Sequence, residues 1–102
     1  MATDKEQATI VEKEMGITHK EFYDELPRLL SGIPYLQGED SIKFQLNGKN
    51  IEITLGPEGS RLLGRSMCLP TTLIKIRFAG CPEEQIAAFI KHFNLRFMKG
   101  GG

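Results

Sequence analysis

The sequence predicts a two-layer α+β domain with the order α-β-β-β-β-α, in which two helices pack on one face of a four-stranded antiparallel meander. Three observations predict it. Apolar residues recur at helical spacing in one segment near residue 25 and in another near residue 90. Between these segments, apolar residues alternate with polar ones, as in strands that bury a single face. One layer of helices on one apolar sheet face buries all of these side chains together.

Length and composition fit one globular domain. The chain has 102 residues, of which 40% are hydrophobic and 25% are charged, as in an ordinary folded domain. We expect a flexible tail over residues 1–16, a single α+β domain over residues 17–99 and a flexible glycine tail over residues 100–102. The formal net charge of zero argues against a protein that binds polyanions through a strong positive field.

The sequence predicts a cytoplasmic location. No apolar run approaches the ~20 residues that cross a bilayer, and the N-terminal residues lack the apolar stretch of a secretory signal. The two cysteines, Cys68 and Cys81, do not have the close spacing of a metal site or redox motif. A reducing compartment is the simplest setting for such cysteines.

The first helix is predicted to begin after Thr18. Thr18 and Glu21 match a capping box, in which each side chain accepts a hydrogen bond from the backbone amide of the other residue. Apolar residues follow at helical spacing from Phe22 onwards. Pro27 is expected to kink or interrupt this helix, because proline lacks an amide hydrogen and clashes with the preceding turn. Gly32 is expected to end it.

A hairpin is predicted next. Apolar and polar residues alternate over residues 42–46 and again over residues 51–55. Asn47 and Gly48 lie between these strands and reach positive φ readily, which is typical of a tight hairpin loop. A loop at Asn47-Gly48 and a loop at Gly48-Lys49 both fit the burial pattern, so the register stays open.

Glycine and proline define the remaining strands. The pattern predicts a turn at residues 56–59, a third strand over 61–69, a turn at 70–71 and a fourth strand over 73–78. Gly64 inside the third strand indicates a bulge or a close backbone approach. A short extra strand over residues 35–37 is an alternative addition to the sheet.

The last helix has the clearest pattern. Cys81 fits the cap position, and Pro82 fits the first helical position. Two glutamates then favour the positive end of the helix dipole. An apolar stripe follows at helical spacing, formed by Ile86, Phe89, Ile90, Phe93 and Phe97.

Candidates for catalysis are few. His19 and His92 are expected to be solvated, without a cysteine or carboxylate at metal-ligand spacing. Cys81 has a physical route to reactivity, because a helix N-terminus lowers the pKa of a thiol. A small buried side chain is nevertheless the favoured interpretation of Cys81. We therefore expect no enzyme, no catalytic residue, no metal site and no cofactor.

The charge distribution is uneven along the chain. Residues 1–40 contain nine acids and four bases, a net charge of −5, and residues 41–102 contain four acids and nine bases, a net charge of +5. The stretch from Gly59 to Ala79 contains no acid at all. Guanidinium groups suit carboxylate and phosphate partners. We expect a non-enzymatic interaction module that docks an acidic protein or other anionic partner on a basic sheet surface, formed by Arg61, Arg65, Lys75 and Arg77.

Three alternatives accompany this hypothesis. Nucleic-acid binding is less favoured, because no aromatic residue is interleaved with the exposed cations to stack on bases. A small apolar ligand could bind between the helices and the sheet, although close packing is expected there. A homodimer could form through an exposed edge strand or through Leu63, Met67 and Leu69. No binding to a membrane is expected.

Overall fold

A five-stranded antiparallel sheet and two helices form an α+β fold, which confirms the predicted class. The computed structural model describes residues 8–63 and 67–97. The sheet has the strand order β1-β5-β4-β3-β2. The elements are β1 (Ala8–Met15), α1 (His19–Leu29), β2 (Tyr35–Gln37), β3 (Ser41–Leu46), β4 (Lys49–Leu63), β5 (Met67–Ala79) and α2 (Glu83–Phe97).

Helix α1 has the predicted capping box. The Thr18 hydroxyl accepts a hydrogen bond from the Glu21 amide at 3.1 Å, and the Glu21 carboxylate accepts one from the Thr18 amide at 2.9 Å. The helix continues through Pro27 as far as Leu29, so the expected interruption does not occur. Pro27 is exposed and lies in the last turn, where few further backbone hydrogen bonds depend on it.

The hairpin between β3 and β4 shows which of the two possible loops joins these strands. Asn47 and Gly48 have φ values of 53° and 78°, and Leu46 pairs with Lys49. The loop is therefore Asn47-Gly48, the pair that best tolerates two successive positive φ angles. The short strand predicted as an alternative over residues 35–37 is also present, as β2.

The turns predicted at residues 56–59 and 70–71 are wrong. Residues 56–59 lie inside β4, and residues 70–71 lie inside β5. Between Leu55 and Glu58 the register advances three residues on β4 and two on β5, so one extra residue forms a bulge. The predicted third strand, 61–69, instead spans the end of this long β4–β5 hairpin. Gly64 lies outside the described residues.

The flexible tail predicted over residues 1–16 is wrong for residues 8–15, which form strand β1. Residues 8–15 pair along their whole length with β5. Val11 and Met15 face the helices, but so does the half-buried Lys13. This lysine hides the apolar alternation, and an inward charge on an edge strand is a known protection against strand-to-strand aggregation. The predicted tail residues 1–7 and 100–102 lie outside the described residues.

Phenylalanine rings fill the space between helices and sheet. Phe93 of α2 is fully buried, with its ring centroid 6.4 Å from that of Phe22 in α1 and 4.6 Å from that of Phe97. Phe89 contacts Phe44 and Phe78 of the sheet. The predicted stripe of α2 therefore forms the centre of the core.

We predict that Phe93→Ala lowers the free energy of unfolding by about 3–5 kcal/mol, because it removes a buried ring and leaves a cavity. Leu95→Ala on the same helix is the matched control, since Leu95 is 64% exposed and its truncation should change stability by less than ~0.5 kcal/mol. Urea denaturation monitored by circular dichroism measures both. Equal effects of the two substitutions would contradict this packing.

Candidate interaction surface

The sheet has one face without helices, which we call the outer face. Its side chains alternate with those that enter the core. Strand register places one row of these residues across all five strands. In order from one edge to the other, the row is Ile10, Arg77, Glu52, Lys43 and Leu36. Acid and base alternate in its centre, and an exposed apolar side chain lies at each end.

The predicted site residues Lys75 and Arg77 lie together on this face. Both side chains are exposed on β5. The Lys75 Nζ lies 3.7 Å from a carboxylate oxygen of Glu12, its register partner on β1. Arg77 forms no ion pair with any carboxylate of residues 8–63 and 67–97. Arg77 is therefore the more available cation of the two.

Arg61, the third predicted site residue, is not part of this cluster. Arg61 lies farther along β4, where its guanidinium donates a hydrogen bond of 2.9 Å to the carboxylate of Glu14 on β1. Arg65 lies outside the described residues. The stretch from Gly59 to Ala79 therefore contains no acid in its sequence but has acids as neighbours in the fold, because β1 places Glu12 and Glu14 beside it. The outer face carries mixed charge rather than a purely positive patch.

Lys43 is a further candidate for the interaction surface, and the sequence pattern did not single it out. It lies on β3 beside Glu52 and two strands from Arg77. An open depression of about 780 Å³ includes Lys43, Gln45, Asn50, Glu52 and Arg77 in its lining. The alternation of residues 42–46 indicated that Lys43 faces solvent, but only the strand order brings it near β5.

The rings of the two histidines form hydrogen bonds with backbone carbonyl groups. The His19 ring donates a hydrogen bond from Nε2 to the Gly56 carbonyl at 2.7 Å, and the His92 ring donates one to the Leu29 carbonyl at 3.2 Å. A carbonyl only accepts, so Nε2 carries the proton in both rings. His92 is nevertheless exposed, as expected, whereas His19 is only half-exposed. Both rings connect separate elements of the fold.

Cys81 lacks the activation that its position indicated. The helix begins one residue later, at Glu83 after Pro82, and the Pro82 carbonyl accepts the first helical hydrogen bond. Burial raises the pKa of the Cys81 thiol above its ordinary value, and the nearby positive charge of Lys49 opposes this shift. A thiol with a raised pKa is a poorer nucleophile at neutral pH, since the thiolate is the reactive form.

A second exposed feature is the end of the β4–β5 hairpin, which we call the arm and define as residues 58–63 and 67–72. Register pairs within it run from Glu58–Thr72 to Leu63–Met67. Strand β1 ends opposite Thr72, and β3 ends opposite Thr54, so the arm projects beyond both neighbouring strands. Its glycines and prolines are also typical of turns, so the sequence pattern does not reveal the arm.

Contacts from the segment between β1 and α1 hold the base of the arm. The Glu58 carboxylate accepts a hydrogen bond of 2.8 Å from the His19 amide, at the positive end of α1. The buried Thr72 hydroxyl donates one of 2.8 Å to the Ile17 carbonyl. Gly16 leaves room for Leu69, because a Cβ there would lie 2.9 Å from a Leu69 methyl carbon. The arm is thus anchored to the body of the fold.

Two further structural findings bear on function. Among the described residues, no group of three or more acidic, histidine or cysteine side chains is arranged to bind a metal ion. Within the same ranges, neither helix has the length and apolar composition that crossing a bilayer requires.

Comparisons with known proteins return no relative. No protein-family profile, no curated protein and no solved structure matches the chain.

We predict that Cys81 is alkylated with a pH midpoint above that of the same cysteine in the unfolded chain. Burial favours the neutral thiol in the folded state, so the thiolate forms only at higher pH. The rate of iodoacetamide reaction as a function of pH in a Cys68→Ser variant measures the midpoint with and without denaturant. A midpoint in the folded protein at or below that of the unfolded chain would show that the thiol is activated.

Proposed function

We propose that the protein is a small non-enzymatic interaction module whose outer sheet face docks an acidic segment of a partner protein. The observation that carries this proposal is the pair of exposed cations, Lys43 and Arg77, in the lining of one open depression on a face that no helix covers. Neither cation forms an ion pair within residues 8–63 and 67–97. Their charges are available to carboxylates from outside the chain.

The spacing of these cations defines the partner more closely. Glu52 lies between Lys43 and Arg77 in the row, and each strand spacing is ~4.8 Å. The two cations are therefore about 10 Å apart, two strand spacings. A segment with two carboxylates at that separation contacts both cations and avoids Glu52. A continuous line of negative charge would meet repulsion at Glu52.

This charge pattern favours a protein over a nucleic acid. A nucleic-acid backbone has closely spaced phosphates, and Glu12, Glu14 and Glu52 all lie on the outer face. The apolar ends of the row, Ile10 and Leu36, are 52% and 74% exposed. Apolar side chains beside mixed charges are typical of a protein–protein interface.

Two other cations of the predicted site have secondary roles in the proposal. Lys75 and Arg61 are already paired with Glu12 and Glu14, but all four side chains are at least 50% exposed. Ion pairs of this kind contribute only ~0–1 kcal/mol. A partner carboxylate can compete for these cations, although it gains less from them than from Arg77.

Binding is favoured over catalysis and over uptake of an apolar ligand. Both histidine rings are occupied by backbone carbonyls, and burial favours the protonated form of Cys81. The phenylalanine rings occupy the space in which an apolar ligand would lie between helices and sheet. The free thiols of Cys68 and Cys81 suit a reducing compartment, so we place the module in the cytoplasm.

We predict that Arg77→Glu weakens binding of an extended peptide with two glutamates about 10 Å apart by tenfold or more. A hydrogen bond to a charged group contributes ~1.5–3 kcal/mol, and the reversed charge adds repulsion. Fluorescence anisotropy of the labelled peptide at low and at moderate salt measures the affinity.

Lys91→Glu is the matched control. Lys91 is an exposed cation of α2, and its substitution changes the net charge by the same amount as Arg77→Glu. Its affinity should stay within about twofold of the wild type. A peptide with contiguous glutamates should bind less tightly than the spaced one. Equal losses for the two variants, or no binding of either peptide, would overturn the proposal.

A further inference from the structure

The arm presents apolar side chains that nothing in the described chain covers. Every described residue from Glu58 to Leu62 and from Met67 to Leu69 is exposed. Leu62 and Met67 are 64% and 62% exposed, and Leu69 is 36% exposed. A two-stranded ribbon without a covering layer is only marginally stable in water, so burial of this surface against a partner would stabilise the arm.

Met67 and Leu69 share one face of the arm, and Leu62 lies on the other. Met67, Leu69 and Leu73 are separated by two and four residues along β5 and therefore share the outer face, with Thr71 between the two leucines. We call this set the arm stripe. Leu73 is 45% exposed and continues the stripe onto the main sheet. Three exposed large apolar residues in line indicate an interaction surface rather than scattered surface leucines.

The edges of the arm are less suited to pairing than this face. Pro57 lies at its base on β4, and Pro70 lies midway along it on β5; proline cannot donate to a further strand. The bulge between Leu55 and Glu58 interrupts the ladder at the level of Pro57. These features oppose the addition of a strand. Contact through the face is therefore favoured.

The described charges on the face of the arm stripe are already paired. Arg61, the register neighbour of Leu69, is bound to Glu14. A second copy of the stripe meets no unpaired charge at this pair. The Arg61–Glu14 pair is also half-exposed, so in a twofold arrangement the arginine of one copy can face the glutamate of the other. The same surface is thus complementary to itself.

We infer that the arm stripe docks against the arm stripe of a second copy of this chain, forming a twofold dimer. Six register pairs make the arm about 20 Å long and, with two strands, about 10 Å wide. A face of this size buries less than the ~800 Å² per partner of a standard interface. The dimer is consequently weak and forms at raised protein concentration.

Sedimentation velocity over a concentration series tests this inference with the whole chain. The wild type should shift from monomer towards dimer as concentration rises, and Met67→Glu should stay monomeric because two buried carboxylates would face each other. Leu69→Glu should also stay monomeric. Because Leu69 packs beside Gly16, circular dichroism checks that this variant is still folded. Leu95→Glu is the matched control, since Leu95 is equally exposed on α2, and it should dimerise like the wild type.

A crosslinking experiment gives a second, independent readout. In a variant without Cys68 and Cys81, Met67→Cys should be joined into a covalent dimer by a short bis-maleimide, whereas Leu95→Cys should not. A wild type that is monomeric at the highest concentration would overturn the inference. Loss of the dimer in Leu95→Glu, or equal crosslinking at both positions, would also overturn it.

Discussion

The constraint on which this fold depends is that helices cover only one face of a sheet whose side chains alternate between its two faces. The rings of Phe22, Phe89 and Phe93 join both helices to the inner face. Every outward residue is consequently left to solvent or to a partner. Both proposals concern this uncovered face, one at its centre and the other where it extends onto the arm.

Strand β1 gives the uneven charge distribution a structural meaning. The acidic first part of the chain and the basic later part meet where β1 pairs with β5. Glu12 lies beside Lys75, and Glu14 lies beside Arg61. Much of the asymmetry is therefore complementarity within one molecule. In the proposed function, the cations left without an internal partner in the described chain are the main contacts for an external carboxylate, and Arg77 is the foremost of these.

Local signals predicted much of the fold. The Thr18 capping box, the Asn47-Gly48 loop and the apolar stripe of α2 each depend on residues close in sequence, and each is confirmed. The errors have a common cause. Glycine and proline at residues 56–59 and 70–71 lie at a bulge and in the first half of an open ribbon, and the same residue types also mark turns. Lys13 concealed the alternation of β1 because its side chain faces inwards.

The candidate site was only partly predictable for a related reason. Alternation along one strand indicates which side chains face solvent, so Lys75 and Arg77 were found together on one face. Strand order decides which residues lie beside them, and it depends on pairing between distant segments. For that reason the sequence revealed neither Lys43 as a neighbour nor the carboxylates of Glu12 and Glu52.

The most direct measurement is the change in backbone amide NMR shifts of the wild-type chain as the peptide with spaced glutamates is added. The account predicts that the largest changes lie on β3, β4 and β5 around Lys43, Glu52 and Arg77, and that the amides of α2 change little. Changes centred on α2, or spread evenly over both layers, would contradict docking on the helix-free face of the sheet.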